Sequence, residues 1–172
     1  VFVALCPVQA LKRYKTFMKK DLFSLIFLGG ICKAVGHFPV PFMTNDEAKF
    51  QVDKFEMSIT MEKARIHAQN GGCFSLFPEG RINRVPGTLL PFRNGSFKLA
   101  SESKMAIVAY TSYGNAISWP RNCALGGYPA CISIILREVV EKNHCFDTVA
   151  LREKTEKAMS EDLKILVASS KN

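Results

Sequence analysis

Apolar and polar positions change their spacing several times along this chain, and the changes mark a succession of strands and helices. Val1-Phe2-Val3-Ala4 is an unbroken apolar run that predicts a short buried strand, and residues 14–18 predict a second extended piece. Lys19-Lys20-Asp21 follows, with Asp21 placed to cap a helix over 22–35 that stops at Gly36; His37-Phe38-Pro39-Val40-Pro41 then forces extended backbone. Thr44 and Glu47 stand at capping-box spacing and predict a helix along which Val52, Phe55, Ile59 and Ile66 recur at helical intervals, ended by Asn70-Gly71-Gly72.

The second half continues the alternation. Residues 73–77 predict a strand, 94–103 a short helix, 105–112 a buried strand and 130–140 another. Asp147-Thr148 opens an amphipathic helix with Leu151, Ala158, Met159, Leu163 and Leu166 on or near one face. The pattern predicts an α/β fold, a single domain over 1–172 with a largely parallel central sheet flanked by helices. Ligands of such sheets sit beyond the carboxyl ends of the strands, which directs attention to the end of the 73–77 run.

Composition agrees with a globular domain. At 172 residues roughly 70% of the unfolded surface can be buried, and 48% hydrophobic with 22% charged residues excludes a disordered chain. The net charge of +8 is unevenly placed: residues 1–104 hold 15 Lys/Arg and 8 Asp/Glu, residues 105–172 hold 8 and 7. That excess favours an anionic partner for the first part, whether phosphate groups, an acidic lipid surface or nucleic acid. The cysteines at 6, 32, 73, 123, 131 and 145 form no C-x-x-C pair and no zinc spacing; most sit in apolar runs, as small buried thiols of a reducing, cytosol-facing compartment do. No run reaches the roughly 20 apolar residues that span a bilayer. The longest, 22–32, is broken by Ser24 and stopped by Lys33, and reads as a core or interfacial segment. No cleavable signal peptide is expected from the short apolar start.

The candidate chemistry lies where the 73–77 run enters Phe77-Pro78-Glu79-Gly80, followed by Arg81, Ile82, Asn83 and Arg84, and then by Leu89-Leu90-Pro91-Phe92-Arg93-Asn94-Gly95-Ser96-Phe97. A Pro/Gly turn there carries one carboxylate among guanidinium groups, and a guanidinium binds phosphate bidentately. Lys12, Arg13, Lys15, Lys19 and Lys20 form a basic run beside the apolar start of the 22–35 helix, suited to an anionic membrane surface or to a solvated face next to a core helix. His37 has no carboxylate at a suitable spacing and reads as structural. His144 and Cys145 are adjacent in an extended segment, so their side chains point apart and make no nucleophile pair.

Taken together, these blocks resemble the glycerolipid acyltransferase family, which includes the lysophosphatidic acid acyltransferases. Lys19-Lys20-Asp21-Leu22-Phe23 with Phe27-Leu28-Gly29-Gly30 is similar to the family's Lys-Lys-Glu-Leu helix, and Gly36 with Phe38-Pro39-Val40 to the start of its second block. Phe77-Pro78-Glu79-Gly80 matches the third block, and 105–110 takes the place of the fourth. The resemblance implies transfer of an acyl group from acyl-CoA, as co-substrate with no bound cofactor or metal, to the hydroxyl of a lysophospholipid in phospholipid biosynthesis. It implies that Phe77, Pro78, Glu79, Gly80, Arg81, Arg84 and Arg93 contact substrate, and that the protein works at the cytosolic face of a membrane such as the endoplasmic reticulum.

The family's catalytic H-x-x-x-x-D is missing. His37, His67 and His144 are followed five positions later by Phe42, Gly72 and Val149, so no catalytic residue is assigned. Val1-Phe2-Val3-Ala4 leads toward Lys19 over a gap shorter than the family's, which implies loss of the motif segment, with no upstream membrane anchor in the chain. Phe42 stands where the second block ends in Arg, Arg81-Ile82-Asn83 where the third reads Thr-Arg-Ser, and Ala106 and Ala109 where the fourth has prolines. An alternative expectation is therefore a catalytically dead lipid- or acyl-CoA-binding module. A basic RNA-binding domain is a third, without an accompanying motif.

Overall fold

The computed structural model describes residues 13–44, 51–120, 127–143 and 145–170. The strand predicted at 1–4, Lys12, Glu47 and His144 lie outside the described residues. Two compact units divide between Arg81 and Ile82.

In the first unit, β1 (Tyr14–Lys19) lies between β2 (Phe38–Val40) and β3 (Cys73–Ser75), and both pairings are parallel. A 3-10 turn, Lys20–Ser24, and helix α1 (Ile26–Val35) carry the chain from β1 to β2; helix α2 (Lys54–Gln69) precedes β3. Side chains alternate across a strand, so Phe17 and Met18 of β1 face opposite ways. The Phe17 ring packs on Phe38 and Phe74, which also hold the His67 ring of α2. Met18 meets buried Cys32 of α1, with 3.7 Å between the sulfurs. The parallel sheet is thus covered by α1 on one face and α2 on the other, as the alternation of elements predicts.

Three local expectations are corrected. The helix expected from residue 22 is interrupted at Leu25, whose backbone is extended (φ −72°, ψ 137°), so Asp21 does not cap α1; its carboxylate pairs with Lys19 at 2.9 Å. Thr44 does not cap α2. Asp53 does, accepting the Glu56 backbone N–H at 3.0 Å, while Val52 bridges Phe42 in extended structure. Asp53 and Glu56 repeat the spacing of Thr44 and Glu47 closer to the helix, and an aspartate is at least as good an acceptor there. Phe55, Ile59 and Ile66 face outward, and the residues that α2 buries are Thr60 and Ala64. A three-strand sheet offers a narrow contact, and Thr60 meets it by donating to the Pro39 carbonyl at 3.2 Å. The stops hold as expected: Gly36 closes α1 at φ 76°, with its N–H bonded to the Cys32 carbonyl at 3.1 Å.

Adjacent glycines of α1 give opposite predictions. A Cβ at Gly29 would lie 2.3 Å from the Phe23 carbonyl oxygen, a backbone atom that cannot swing away, whereas one at Gly30 meets nothing within 4 Å. Gly30→Ala is expected to stabilise by about 0.5–1 kcal/mol and Gly29→Ala to destabilise, both read from urea denaturation midpoints.

In the second unit, β4 (Ile107–Tyr113) and β5 (Ser133–Val140) pair antiparallel, with Tyr110 opposite Leu136, so the parallel pairing of the first three strands is not continued. Helix α3 (Asn94–Glu102), a short α4 (Asn115–Ser118) and α5 (Thr148–Ser169) complete it. Asp147 caps α5 by accepting the Ala150 N–H at 2.8 Å. Leu151, Ala158, Leu163 and Leu166 are buried on the predicted face, with Met159 packed at the core's edge. The core joins Leu151 and Ala158 to Phe92, Phe97, Ala109, Val139 and Val140. Both strands are buried on one side only: α5 packs on them from that side, and Val108, Tyr110, Ile134 and Leu136 are exposed on the other.

The fold is mixed α/β with a three-strand parallel sheet flanked by helices. Among the described cysteines, Cys32 is buried and Cys73 half-buried as expected, but Cys131 and Cys145 are on the surface; all four are free thiols.

Candidate functional site

The Phe77-Pro78-Glu79-Gly80 stretch is a turn at the carboxyl end of β3. The Gly80 N–H donates to the Phe77 carbonyl at 3.0 Å, and Gly80 sits at φ 68°, a left-handed conformation that explains the glycine. The strand beneath is pinned by Thr16, whose Oγ1 donates to the Ser75 carbonyl at 2.7 Å. Since Thr16 pairs with Ser75 in a parallel ladder, Lys19 and Lys20 leave β1 at the same end of the sheet as the turn. Lys20 pairs with Glu56 of α2 at 2.6 Å. Glu79 is half-buried and engaged within the molecule; Arg81 is exposed and also engaged. The carboxyl end of the sheet therefore carries Glu79, a hydrogen-bond acceptor, and the cations Arg81, Lys19 and Lys20, the two lysines paired with Asp21 and Glu56.

Arg84 and Arg93 belong to the second unit. Arg84 lies in a loop ordered by Asn83, whose Nδ2 donates to the Thr88 carbonyl at 2.8 Å and whose Oδ1 accepts from the Val85 N–H at 3.0 Å. Arg93 holds the N-cap position of α3 with extended backbone and no side-chain cap.

The predicted basic run is split by the sheet. Arg13 and Lys15 lie at the amino end of β1, away from Lys19 and Lys20. There Arg13 Nη2 donates to the Gly71 carbonyl at 2.9 Å, and Lys15 Nζ stands 5.3 Å from the centre of the Phe38 ring. Of the two histidines of the first unit, His67 is at this end, and His37, just before β2, stands level with Thr16 in the middle of β1. His37 Nδ1 accepts the Thr16 backbone N–H at 3.2 Å, the structural role expected of it. His67 Nε2 lies 3.0 Å from the Arg13 carbonyl, its ring edge-on to Phe74. The sequence reading passed over His67; the signal available was Gly72, where a Cβ would lie 2.2 Å from that same Nε2.

Burial and the nearby Lys15 ammonium lower the pKa of His37 from its usual 6.5. A base with a lowered pKa in the fold binds fewer protons there than in the unfolded chain, so stability rises with pH through the titration. Stability is expected to be level above pH 6.5 and to decline as pH falls below it toward the lower folded value. Urea denaturation across this range checks the direction, with His37→Gln expected to flatten the decline.

Among the described residues no three His, Cys, Asp or Glu side chains are grouped so as to hold a metal ion. No described helix is long and apolar enough to cross a membrane. A cleft of about 230 Å³ in the second unit, beside Gly87 and Lys164, is lined by none of the residues expected to contact substrate.

In comparison with known proteins, the family model described as Acyltransferase matches residues 1–112, which include the whole parallel sheet, the turn and the arginines at 81, 84 and 93. No curated protein and no solved structure matches the chain.

Proposed function

Because this chain belongs to the glycerolipid acyltransferase family, we propose that the carboxyl end of its parallel sheet holds the glycerol phosphate of a lysophospholipid that accepts an acyl group from acyl-CoA. The observation that supports this is the placement of Glu79 and Arg81 in and just after a hydrogen-bonded turn, at the sheet end where α/β folds take their ligands. Glu79 accepts the hydrogen of a glycerol hydroxyl and Arg81 pairs with the phosphate. Arg84 and Arg93 are assigned to phosphate on the resemblance alone. The protein works at the cytosolic face of a membrane, where its acceptor resides.

In the transfer itself, the hydroxyl oxygen bonds to the thioester carbonyl carbon, the C–S bond breaks, and the hydroxyl proton passes through a base to the leaving coenzyme A thiolate. Neither His37 nor His67 is assigned as that base: His67 stands at the opposite end of the sheet, and His37, level with Thr16, has its Nδ1 taken by the Thr16 N–H. This favours a second reading, a lipid- or acyl-CoA-binding module without its own catalysis.

The two are separated by paired measurements on one set of proteins. Calorimetric titration with a water-soluble short-chain lysophosphatidate is expected to show binding that weakens at least roughly tenfold in Glu79→Gln and in Arg81→Ala, the size of a lost charge-assisted hydrogen bond. Labelled acyl-CoA then reports whether transfer occurs with the chain itself or only after a His/Asp block is supplied. If Glu79→Gln and Arg93→Ala in the supplemented protein leave both turnover and acceptor affinity unchanged, the site assignment is wrong.

A further inference from the structure

Helix α1 is apolar where a soluble helix would be polar. Its buried side is Gly29 and Cys32, and the arc turned to solvent runs through Ile26, Phe27, Gly30, Ile31 and Ala34 without one polar residue. Ile26 is 90% exposed and Phe27 87%. Contiguous bare apolar surface of this kind marks an interaction face. The topology also places it. α1 begins directly after the turn that follows β1, so Ile26 and Phe27 stand at the carboxyl end of the parallel sheet, the end that also carries Phe77, 83% exposed, and Met43, 70% exposed.

We infer that this rim, led by Ile26 and Phe27, inserts into the interface of an anionic bilayer. Charge selects this occupant: between Asp21 and Asp46 the chain has no carboxylate, and Lys33 is exposed on the flank of the bare arc, while Lys19 and Lys20 before it are balanced by Asp21 and Glu56. Size argues against a second protein copy. One side of a ten-residue helix, about 15 Å long, falls short of the roughly 800 Å² per partner that a stable protein interface takes. It is also too short to span a membrane, so it lies in the interfacial plane. The inference deepens the acceptor-site reading and rests on it for one point: the turn holding Glu79 then opens toward the leaflet in which a lysophospholipid resides.

The test is sedimentation of the full chain with phosphatidylcholine vesicles containing phosphatidylglycerol. Wild type is expected to partition onto them, more weakly onto pure phosphatidylcholine, and Ile26→Ser/Phe27→Ser to lose at least roughly tenfold in partition, from two apolar side chains no longer inserted, with its circular dichroism unchanged. Phe27→Trp in a Trp119→Phe background reports insertion independently, through a blue-shifted emission on vesicle addition. Equal partition of wild type and the double variant, an unshifted emission, or a wild-type dimer that the double substitution dissociates each overturns the inference. Transfer to a short-chain acceptor in vesicle-free solution separates the two readings. Wild type that binds the short-chain acceptor but not the vesicles overturns this one alone; wild type that binds the vesicles but not the short-chain acceptor overturns the acceptor site alone.

Discussion

Arg137→Met is expected to destabilise the protein by about 3–5 kcal/mol, the usual consequence of leaving one member of a buried pair uncompensated. Asp162 of α5 is fully buried, at 0% exposure, while its partner Arg137 on β5 is 39% exposed. Arg137 Nη2 donates to Asp162 Oδ1, its Nη1 reaches Glu161 at 3.3 Å, and Asp162 Oδ2 has no hydrogen-bond partner among the described residues. The pair is therefore asymmetric. Removing the guanidinium strands a charge with no route to water; removing the carboxylate leaves an arginine that keeps Glu161 and solvent. Asp162→Leu is expected to cost distinctly less, and the double variant Arg137→Met/Asp162→Leu to recover most or all of the loss, since an apolar pair has no desolvation penalty. Urea denaturation of the four proteins gives the cycle, and additive single effects would contradict it.

Leu151→Ala is expected to cost about 2–5 kcal/mol. Leu151 is completely buried in the first turn of α5 and belongs to the core formed with Phe92, Phe97, Ala109 and Val140. Truncation removes its transfer free energy and leaves a void that the stacked Phe92 and Phe97 rings, 6.1 Å apart, are too rigid to fill. One turn on, buried Thr155 donates its hydroxyl to the Leu151 carbonyl at 2.8 Å. Thermal unfolding of Leu151→Ala beside the conservative Leu151→Met separates the cavity from a mere change of shape, since Met keeps the volume and is expected to cost under about 1.5 kcal/mol.

The parts of the fold that were legible in the sequence are those set by local chemistry. Gly36, Asn70-Gly71 and Asp147 end or start helices because they supply a left-handed backbone or a cap acceptor, and each does so where expected. The face of α5 was readable because Leu151, Ala158, Leu163 and Leu166 recur at its period. Phe55, Ile59 and Ile66 recur just as well yet face solvent, because periodicity says which residues share a side and not how much sheet lies beneath it. Asp162 was invisible for the converse reason: a charged residue on an apolar face is understood only when Arg137, 25 residues away, is brought to it. The turn at Glu79 was legible from its Pro/Gly chemistry and its strand, whereas the division of the basic run between two ends of β1 follows from the direction of that strand.

The parallel sheet has a bearing on how the chain is made. Thr16 and Ser75, bonded in the finished ladder, are 59 residues apart in sequence, and synthesis at about 5–20 residues per second puts roughly 3–12 s between their appearance. During that wait β1 has an open edge on the β3 side, with the uncovered apolar arc of α1 already following it. The nascent first unit is therefore expected to need chaperones that hold apolar segments on the ribosome, and slower translation between the codons for Lys20 and Cys73 is expected to lengthen its exposure to aggregation.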